Sequence, residues 1–295
     1  MNTFAGSAVV RTWMLFVIVL AMAASLAAQS PAATPTPEPA KPRDRACQGS
    51  FLKNIACDQK AIWMSPAKLE SSDAGWLVPL GLGTAGLIAT DRRSAGSLDN
   101  NRTRLAVSRD ISYAGSTYSL GTIVAATYLI GRGTSNAHLR ETGKLAAEAL
   151  IDAAIVDFAF KEITQRPRPL EDRGRGRFFT GGNSHPSGHS AAAWSVATVF
   201  ACQYEDNPLF HYGAYAAAGA VGISRFTARK HFLSDILIGS ALGYGVGRYV
   251  CHMGKVRNGD DTVGEHPHSR FLPSNVGGRF DKGTREYGVG LTWSF

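Results

Sequence analysis

Apolar residues gather into six stretches of helical length between Trp76 and Cys251, separated by polar or glycine-rich breaks. They run roughly over Trp76–Thr90, Ile111–Gly131, Leu145–Thr164, His189–Tyr204, Tyr212–Ser224 and Phe232–Val250. Gly96, the Gly131/Gly133 pair, the Pro167/Pro169 pair and Pro208 lie between them. These residues end helices because proline lacks the amide donor and glycine favours the unwound cap. No internal repeat, heptad pattern or parallel-sheet alternation interrupts the series, so the sequence predicts an all-α domain, a six-helix bundle core over 76–251.

The last stretch, 252–295, is glycine-rich and loses the helical period. Tyr287, Val289, Leu291, Trp293 and Phe295 alternate with small or polar residues, and Asp281-Lys282-Gly283 offers a turn before them. This predicts a short C-terminal β-like tail, read as a hairpin on the bundle. A terminal strand of an outer-membrane barrel is the competing reading, but one or two strands cannot close a barrel.

At the other end, Arg11 precedes an apolar run from Trp13 to Leu20 and small residues through Ala28. Residues 1–28 read as a secretory signal, cleaved after Ala27, or as an uncleaved N-terminal anchor. The segment 29–46 follows as a linker, with Pro31, Pro35, Pro37, Pro39 and Pro42 holding it extended. Residues 47–75 form a lead-in. In an oxidising compartment Cys47 and Cys57 can pair across a short loop, whereas Cys202 and Cys251 read equally as buried thiols.

Composition narrows the partners. The chain has 295 residues, 44% apolar and only 18% charged, with 32 glycines, which favours close-packed small-residue helices or a membrane setting. Its net charge of +8 favours anionic partners such as phosphate esters or anionic lipid. No nucleic-acid-binding motif accompanies the charge, so nucleic acid is not expected.

Three polar clusters carry the candidate chemistry. Lys161 is followed after six residues by Arg168-Pro169. Pro186-Ser187-Gly188-His189 opens the fourth stretch. Ser224-Arg225 is followed after five residues by His231 and three further on by Asp235. Each is weak alone, since a lysine at a helix end usually caps carbonyls and Ser-Gly usually marks a turn. In an antiparallel bundle, however, the stretches ending at Thr164 and Ser224 finish on the face where those beginning at His189 and Phe232 start. All three clusters therefore fall at one end. Lys161, Arg168 and Arg225 would supply cations able to grip phosphate oxygens. The helix N-terminus at Ser187 and Gly188 would add amide donors and a favourable dipole. His231 and Asp235, spaced i, i+4, would share a helical face, with the carboxylate orienting the imidazole as a nucleophile. His189 would protonate the leaving alkoxide and then activate water. This chemistry requires no metal-ligand set and no cofactor, and His266 and His268 read as solvated tail residues.

Taken in order, these residues resemble the full signature of the type 2 phosphatidic acid phosphatase family, with eleven fixed positions matching from Lys161 to Asp235. The resemblance spans about Trp76 to Val250 and implies a six-helix core and acid-phosphatase-type chemistry. It implies His231 as nucleophile, Asp235 orienting it, His189 as acid/base, and Lys161, Arg168, Ser187, Gly188 and Arg225 as phosphate-binding positions. The same superfamily contains vanadium haloperoxidases, which are considerably longer. A non-catalytic phosphate- or lipid-binding module would be expected to lack His231 or Asp235.

The expected substrate is a phosphate ester, with a lipid phosphate favoured; its identity stays open among phosphatidic acid, phosphatidylglycerophosphate, polyprenyl diphosphate and soluble phosphomonoesters. The run Arg173-Gly174-Arg175-Gly176-Arg177 reads either as a basic loop that selects the headgroup or as a solvated loop. Ile111–Gly131 is long enough to span hydrocarbon, but Trp76–Thr90 and Tyr212–Ser224 are short. Glu148, Asp152 and Asp157 would be costly in lipid unless they face the bundle interior. The expectation is an exported protein, periplasmic or held at a membrane surface, with an extracytoplasmic site.

Overall fold

The structure is a computed structural model, and it describes residues 49–99, 101–171, 173–259, 275–281 and 286–292. The signal-like segment and the proline-rich linker lie outside the described residues. The helices run α1 (Phe51–Met64), α2 (Ala74–Gly96), α3 (Arg102–Ala114), α4 (Thr117–Gly133), α5 (Ala137–Thr164), α6 (Gly188–Gln203), α7 (Pro208–Thr227) and α8 (Leu233–Arg257), with short 3-10 turns at Ser65–Lys68 and Ser71–Asp73. The all-α reading holds for the domain.

The starts of four helices are chemically marked. Asn101, Ser116, Asn136 and Asn207 each accept, through the side chain, the amide of Arg104, Ser119, Leu139 and Phe210. Such caps satisfy an amide that the helix itself leaves without a partner. Ser116 also explains one departure from the sequence reading. The expected single helix over Ile111–Gly131 is two, because α3 stops at Ala114 and Ser116 starts α4. Gly115 sits between them, pressed so closely on Val221 that a Cβ would lie 2.3 Å from it. Among the described residues no helix is long and apolar enough to cross a membrane.

Helix α1 was not anticipated in the lead-in. Its inward positions are Asn54, Ile55 and Asp58, so two of the three residues that would signal an apolar face are polar. Asn54 donates to Glu148 Oε1 at 3.0 Å, and the neighbouring Gln59 donates to Asp152 Oδ1 at 2.8 Å. The acids of α5 thus face the interior, as their cost in lipid required.

Leu145, Ala149, Val199, Val246 and Val250 form the centre of the core, with α6 buried along nearly its whole length. Helix α8 reaches α6 through a stripe of glycines. A Cβ on Gly239, Gly243 or Gly247 would come within 2.5, 2.2 and 2.6 Å of the carbonyl oxygens of Ser187, Ala191 and Ser195. Only hydrogen at those positions permits this backbone approach. At the far end of the same pair, Cys202 and Cys251 form a disulfide rather than two buried thiols. Cys47 lies outside the described residues.

A second compact unit begins at Lys255 and contains the tail. There β1 (Asn275–Asp281) pairs antiparallel with β2 (Glu286–Thr292), with Asn275 opposite Thr292 and Asp281 opposite Glu286. The predicted hairpin is present. The turn at Lys282-Gly283, and Trp293 and Phe295, lie outside the described residues.

Candidate active site

The site forms where α5 and α7 end and α6 and α8 begin. Helix α5 stops because Gln165 turns into the left-handed region, at φ 44°. The following loop folds back on it: Ser184 N donates to Arg166 O at 2.7 Å, and the Thr164 hydroxyl donates to His185 O at 2.7 Å. This return delivers Ser187, Gly188 and His189 beside Lys161. A Cβ on Gly188 would lie 2.8 Å from Lys161 Nζ and 2.7 Å from Asp157 Oδ2. The missing side chain is what lets the start of α6 meet the cation. Lys161 is itself held by Asp157 at 2.6 Å.

Arg225 arrives at the end of α7, and its carbonyl accepts the amides of Lys230 and His231 at 3.0 and 3.3 Å, which curls the chain toward α8. Arg225 is buried, and its Nε has no hydrogen-bond partner among the described residues. A buried guanidinium donor left open is a strong call for an anion, because desolvation without a partner is costly. Burial and the neighbouring Arg168 hold Arg225 down to about 10. Arg168 is steadied by its Nε donating to Asn183 Oδ1 at 3.0 Å.

Both histidines are neutral at neutral pH. Burial, reinforced by Arg225, Lys161 and Arg168, holds His189 down to about 4. Burial is also the main cause that holds His231 at about 3, aided by Arg225 and Arg168 and only partly opposed by Asp235 and the Ser184 carbonyl. His231 Nδ1 lies 2.7 Å from Ser184 O. A carbonyl can only accept, so Nδ1 carries the proton and Nε2 keeps its lone pair.

Asp235 departs from the expected arrangement. Its Oδ2 lies 3.9 Å from His231 Nδ1, beyond hydrogen-bond length, so the Ser184 carbonyl and not the carboxylate holds the ring. His231 precedes α8, and the i, i+4 helical face therefore does not form. Asp235 instead folds back to accept the Phe232 amide at 2.9 Å, as a capping-box acid does. Its oxygens also accept the Ser184 hydroxyl at 2.6 Å, Arg166 Nη1 at 2.7 Å and His185 Nδ1 at 3.0 Å. Burial pushes this carboxyl up, but the His185 bond, the Arg166 charge, His231 and Ser184 together hold it below the usual carboxylate range.

Several of these partners were not singled out from the sequence. Arg166 is only 1% exposed and donates from Nε to Gly176 O at 2.9 Å, from Nη1 to Ser234 Oγ at 2.7 Å, and from Nη2 to Asp91 Oδ2 at 2.9 Å. Phe178 and Phe232 flank its guanidinium, with ring centroids at 4.7 and 4.2 Å. The one signal was the doubled Arg166-Pro167-Arg168-Pro169, which offers a second arginine two residues from Arg168. Nothing local marked Asp91, an acid just ahead of Arg92 and Arg93. The basic loop is pinned here too: Gly176, at φ 59°, carries no Cβ because one would lie 2.7 Å from Arg166 Nη2.

All eight sequence-predicted site residues thus belong to one end of the bundle, the cations Lys161, Arg168 and Arg225 among them. A lipid A 1-phosphatase of Porphyromonas gingivalis is 42% identical over 69 residues, covering 23% of this chain and 16% of that protein. The chain therefore spans about a sixth of that relative's length. Among solved structures, Aquifex aeolicus LpxE aligns at TM-score 0.44 and 20% identity, covering 56% of this chain and 93% of that one. A transmembrane PAP2 type phosphatidylglycerolphosphate phosphatase from Bacillus subtilis aligns at TM-score 0.44 and 22% identity, covering 64% and 97%. The PAP2 superfamily model matches residues 143–258 of this chain, a stretch that includes every predicted site residue.

Proposed function

We propose that this chain is a phosphatase that hydrolyses a phosphate ester, favouring a lipid phosphate, through a phosphohistidine on His231. The observation that carries the reading is the bare Nε2 of a neutral, buried His231, fixed by Nδ1–H donation to Ser184 O at 2.7 Å, with Arg225, whose Nε is open, near enough to lower its proton affinity. A lone pair poised next to an unfilled anion-binding donor is what attack on phosphorus requires.

In the first step Nε2 attacks phosphorus, the N–P bond forms and the P–O bond to the alcohol breaks. His189 gives its proton to the leaving alkoxide. At rest it is neutral because burial, and after it the cations Arg225, Lys161 and Arg168, lower its proton affinity; a bound phosphate dianion offsets those cations and raises it again. In the second step His189 takes a proton from water, whose oxygen displaces His231 and releases phosphate. Lys161, Arg168 and Arg225, with the α6 amides, carry the charge on the transferring group, the task a metal ion performs in other phosphatases. Asp235 keeps a negative charge near the imidazole as it becomes positive.

A lipid substrate is supported by the named activity of the Porphyromonas gingivalis relative and by the surface. Trp76, Val78, Leu82 and Ile88, spread around α2, are exposed, apolar surface suited to a bilayer. The Cys202–Cys251 disulfide supports export, since such bonds persist in oxidising compartments. The test is phosphate release from phosphatidic acid in detergent and from p-nitrophenyl phosphate, with chelator present, by the wild type and His231→Ala. Chelator-resistant release lost in the variant is expected. No release from any phosphoester by folded protein would reject the reading in favour of a haloperoxidase or a binding module.

A further inference from the structure

Helix α2 lies ahead of the region matched by the superfamily profile, and its attachment is unusual. Of its 23 residues only Asp91 and Ala95 are buried. An apolar helix with an exposed flank would ordinarily dock through its apolar side chains. This one has only a half-buried apolar stripe at Leu77, Leu80 and Leu87, and its deepest contact is a carboxylate. Asp91 is 1% exposed and lies against Arg166, itself 1% exposed. Its Oδ2 accepts Arg166 Nη2 at 2.9 Å and the Ser234 hydroxyl, and its Oδ1 accepts the Ser234 amide at 3.3 Å.

Two consequences meet at the reacting atoms. Asp91 holds the first turn of α8 through both donors of Ser234, one residue from Asp235. Arg166 bonds Asp235 Oδ1 at 2.7 Å, and its backbone carbonyl accepts the amide of Ser184 at 2.7 Å. Ser184 is the residue that orients His231. The guanidinium thus contacts the carboxylate on one side of the nucleophile while its own backbone fixes the carbonyl on the other. Its planar fork bonds Gly176 O, Ser234 Oγ, Asp235 and Asp91 together, which a lysine ammonium cannot do.

We propose that Asp91 and Arg166 form a buried positioning pair that sets the aim of His231, acting through Ser184 and Asp235, so that the working unit of this protein includes α2. Neither residue touches the transferring phosphate. The inference rests on the phosphatase reading for its kinetic consequences and on geometry alone for its structural ones.

The variants are Asp91→Asn, Arg166→Lys and Arg166→Gln in the full chain, each checked for a cooperative thermal transition. Two readouts apply. In phosphate release, kcat should fall at least tenfold in Asp91→Asn and Arg166→Gln, with KM within about threefold, because binding is left to Lys161, Arg168 and Arg225. The acid limb of kcat should move to higher pH in Arg166→Gln, and Arg166→Lys should restore that limb without restoring kcat. The second readout needs no turnover: the downfield Nδ1–H proton resonance of His231 should move or exchange with solvent in Asp91→Asn and Arg166→Gln. If Arg166→Gln does not fold, Asp91→Asn and Arg166→Lys carry the same comparison. An unmoved resonance with kcat within twofold of wild type overturns the proposal. An inactive wild type whose resonance still moves in the variants overturns the phosphatase reading and leaves the positioning pair standing.

Discussion

Replacing Gly239 by alanine tests the geometry at the point where helix packing becomes chemistry. The new Cβ would meet Ser187 O at 2.5 Å and Ser187 N at 3.1 Å, both backbone atoms that cannot rotate aside. Carbon and carbonyl oxygen rest no closer than about 3.3 Å, so α6 and α8 must part by roughly 0.8 Å at that level. The Ser187 amide donates to Asp235 O at 2.9 Å in the same place, and that added distance takes it beyond the ~3.2 Å limit of a good bond. Overpacking costs about 1–3 kcal/mol and the lost bond about 1 kcal/mol. Alanine's better helix propensity returns about 1 kcal/mol. A net destabilisation of about 1–3 kcal/mol follows. Activity should suffer more than stability, because Ser187 and Gly188 open the turn proposed to bind phosphate and a misplacement of ~1 Å costs on the order of 100-fold. The assay is kcat/KM for phosphate release together with the urea midpoint, beside Gly219→Ala on α7, whose Cβ would meet nothing within 4 Å. Gly219→Ala should match or slightly exceed wild-type stability. If Gly239→Ala keeps wild-type kcat/KM and midpoint, the close approach of α6 and α8 does not set the site.

Acid should weaken the fold in a window set by the two histidines. Their folded values, about 4 for His189 and about 3 for His231, lie below the ordinary 6.5. The unfolded chain therefore binds more protons as pH falls below 6.5, and stability declines with falling pH through that range. Asp235, held low, adds the same sign at lower pH, whereas Asp157, pushed up by burial, adds the opposite. A urea midpoint that is flat between about pH 7 and pH 5 would contradict the neutral buried pair. For the same reason kcat/KM, which reports the free enzyme, should not fall at the ordinary histidine value, and an acid limb centred near 6.5 would refute a depressed His231. Arg225→Lys keeps the charge but loses the open Nε, so inhibition by inorganic phosphate should weaken by roughly tenfold or more; an unchanged inhibition constant would remove Arg225 from the phosphate.

The fold was legible because glycine, proline and small polar residues mark its helix ends, and the site because helices of alternating direction bring their ends together. Sequence spacing failed where a side chain served the backbone. His231 and Asp235 have helical spacing, yet Asp235 caps the Phe232 amide and leaves His231 outside α8. The break at Gly115 was hidden because apolar residues continue on both sides of it. Asp91 and Arg166 were invisible as a pair for a simpler reason. They stand 75 positions apart, and only the folded chain reveals that a charge on an apolar helix has a partner.

The disulfide has a consequence for how this protein fails. Cys202 lies at the end of α6 and Cys251 far along α8, and the bond closes the 49-residue separation between them. Arg225, His231 and Asp235 all lie within that loop, while Ser187, Gly188 and His189 lie on the helix to which it is tied. Heat or denaturant that melts α7 leaves α6 and α8 joined, with His189 13 residues from Cys202 and His231 20 residues from Cys251. Inactivation of the oxidised protein is then a local rearrangement with a short search for return. Once the bond is reduced, the same perturbation frees α8 and the His231 turn ahead of it from α6, and recovery becomes a matter of refolding the bundle.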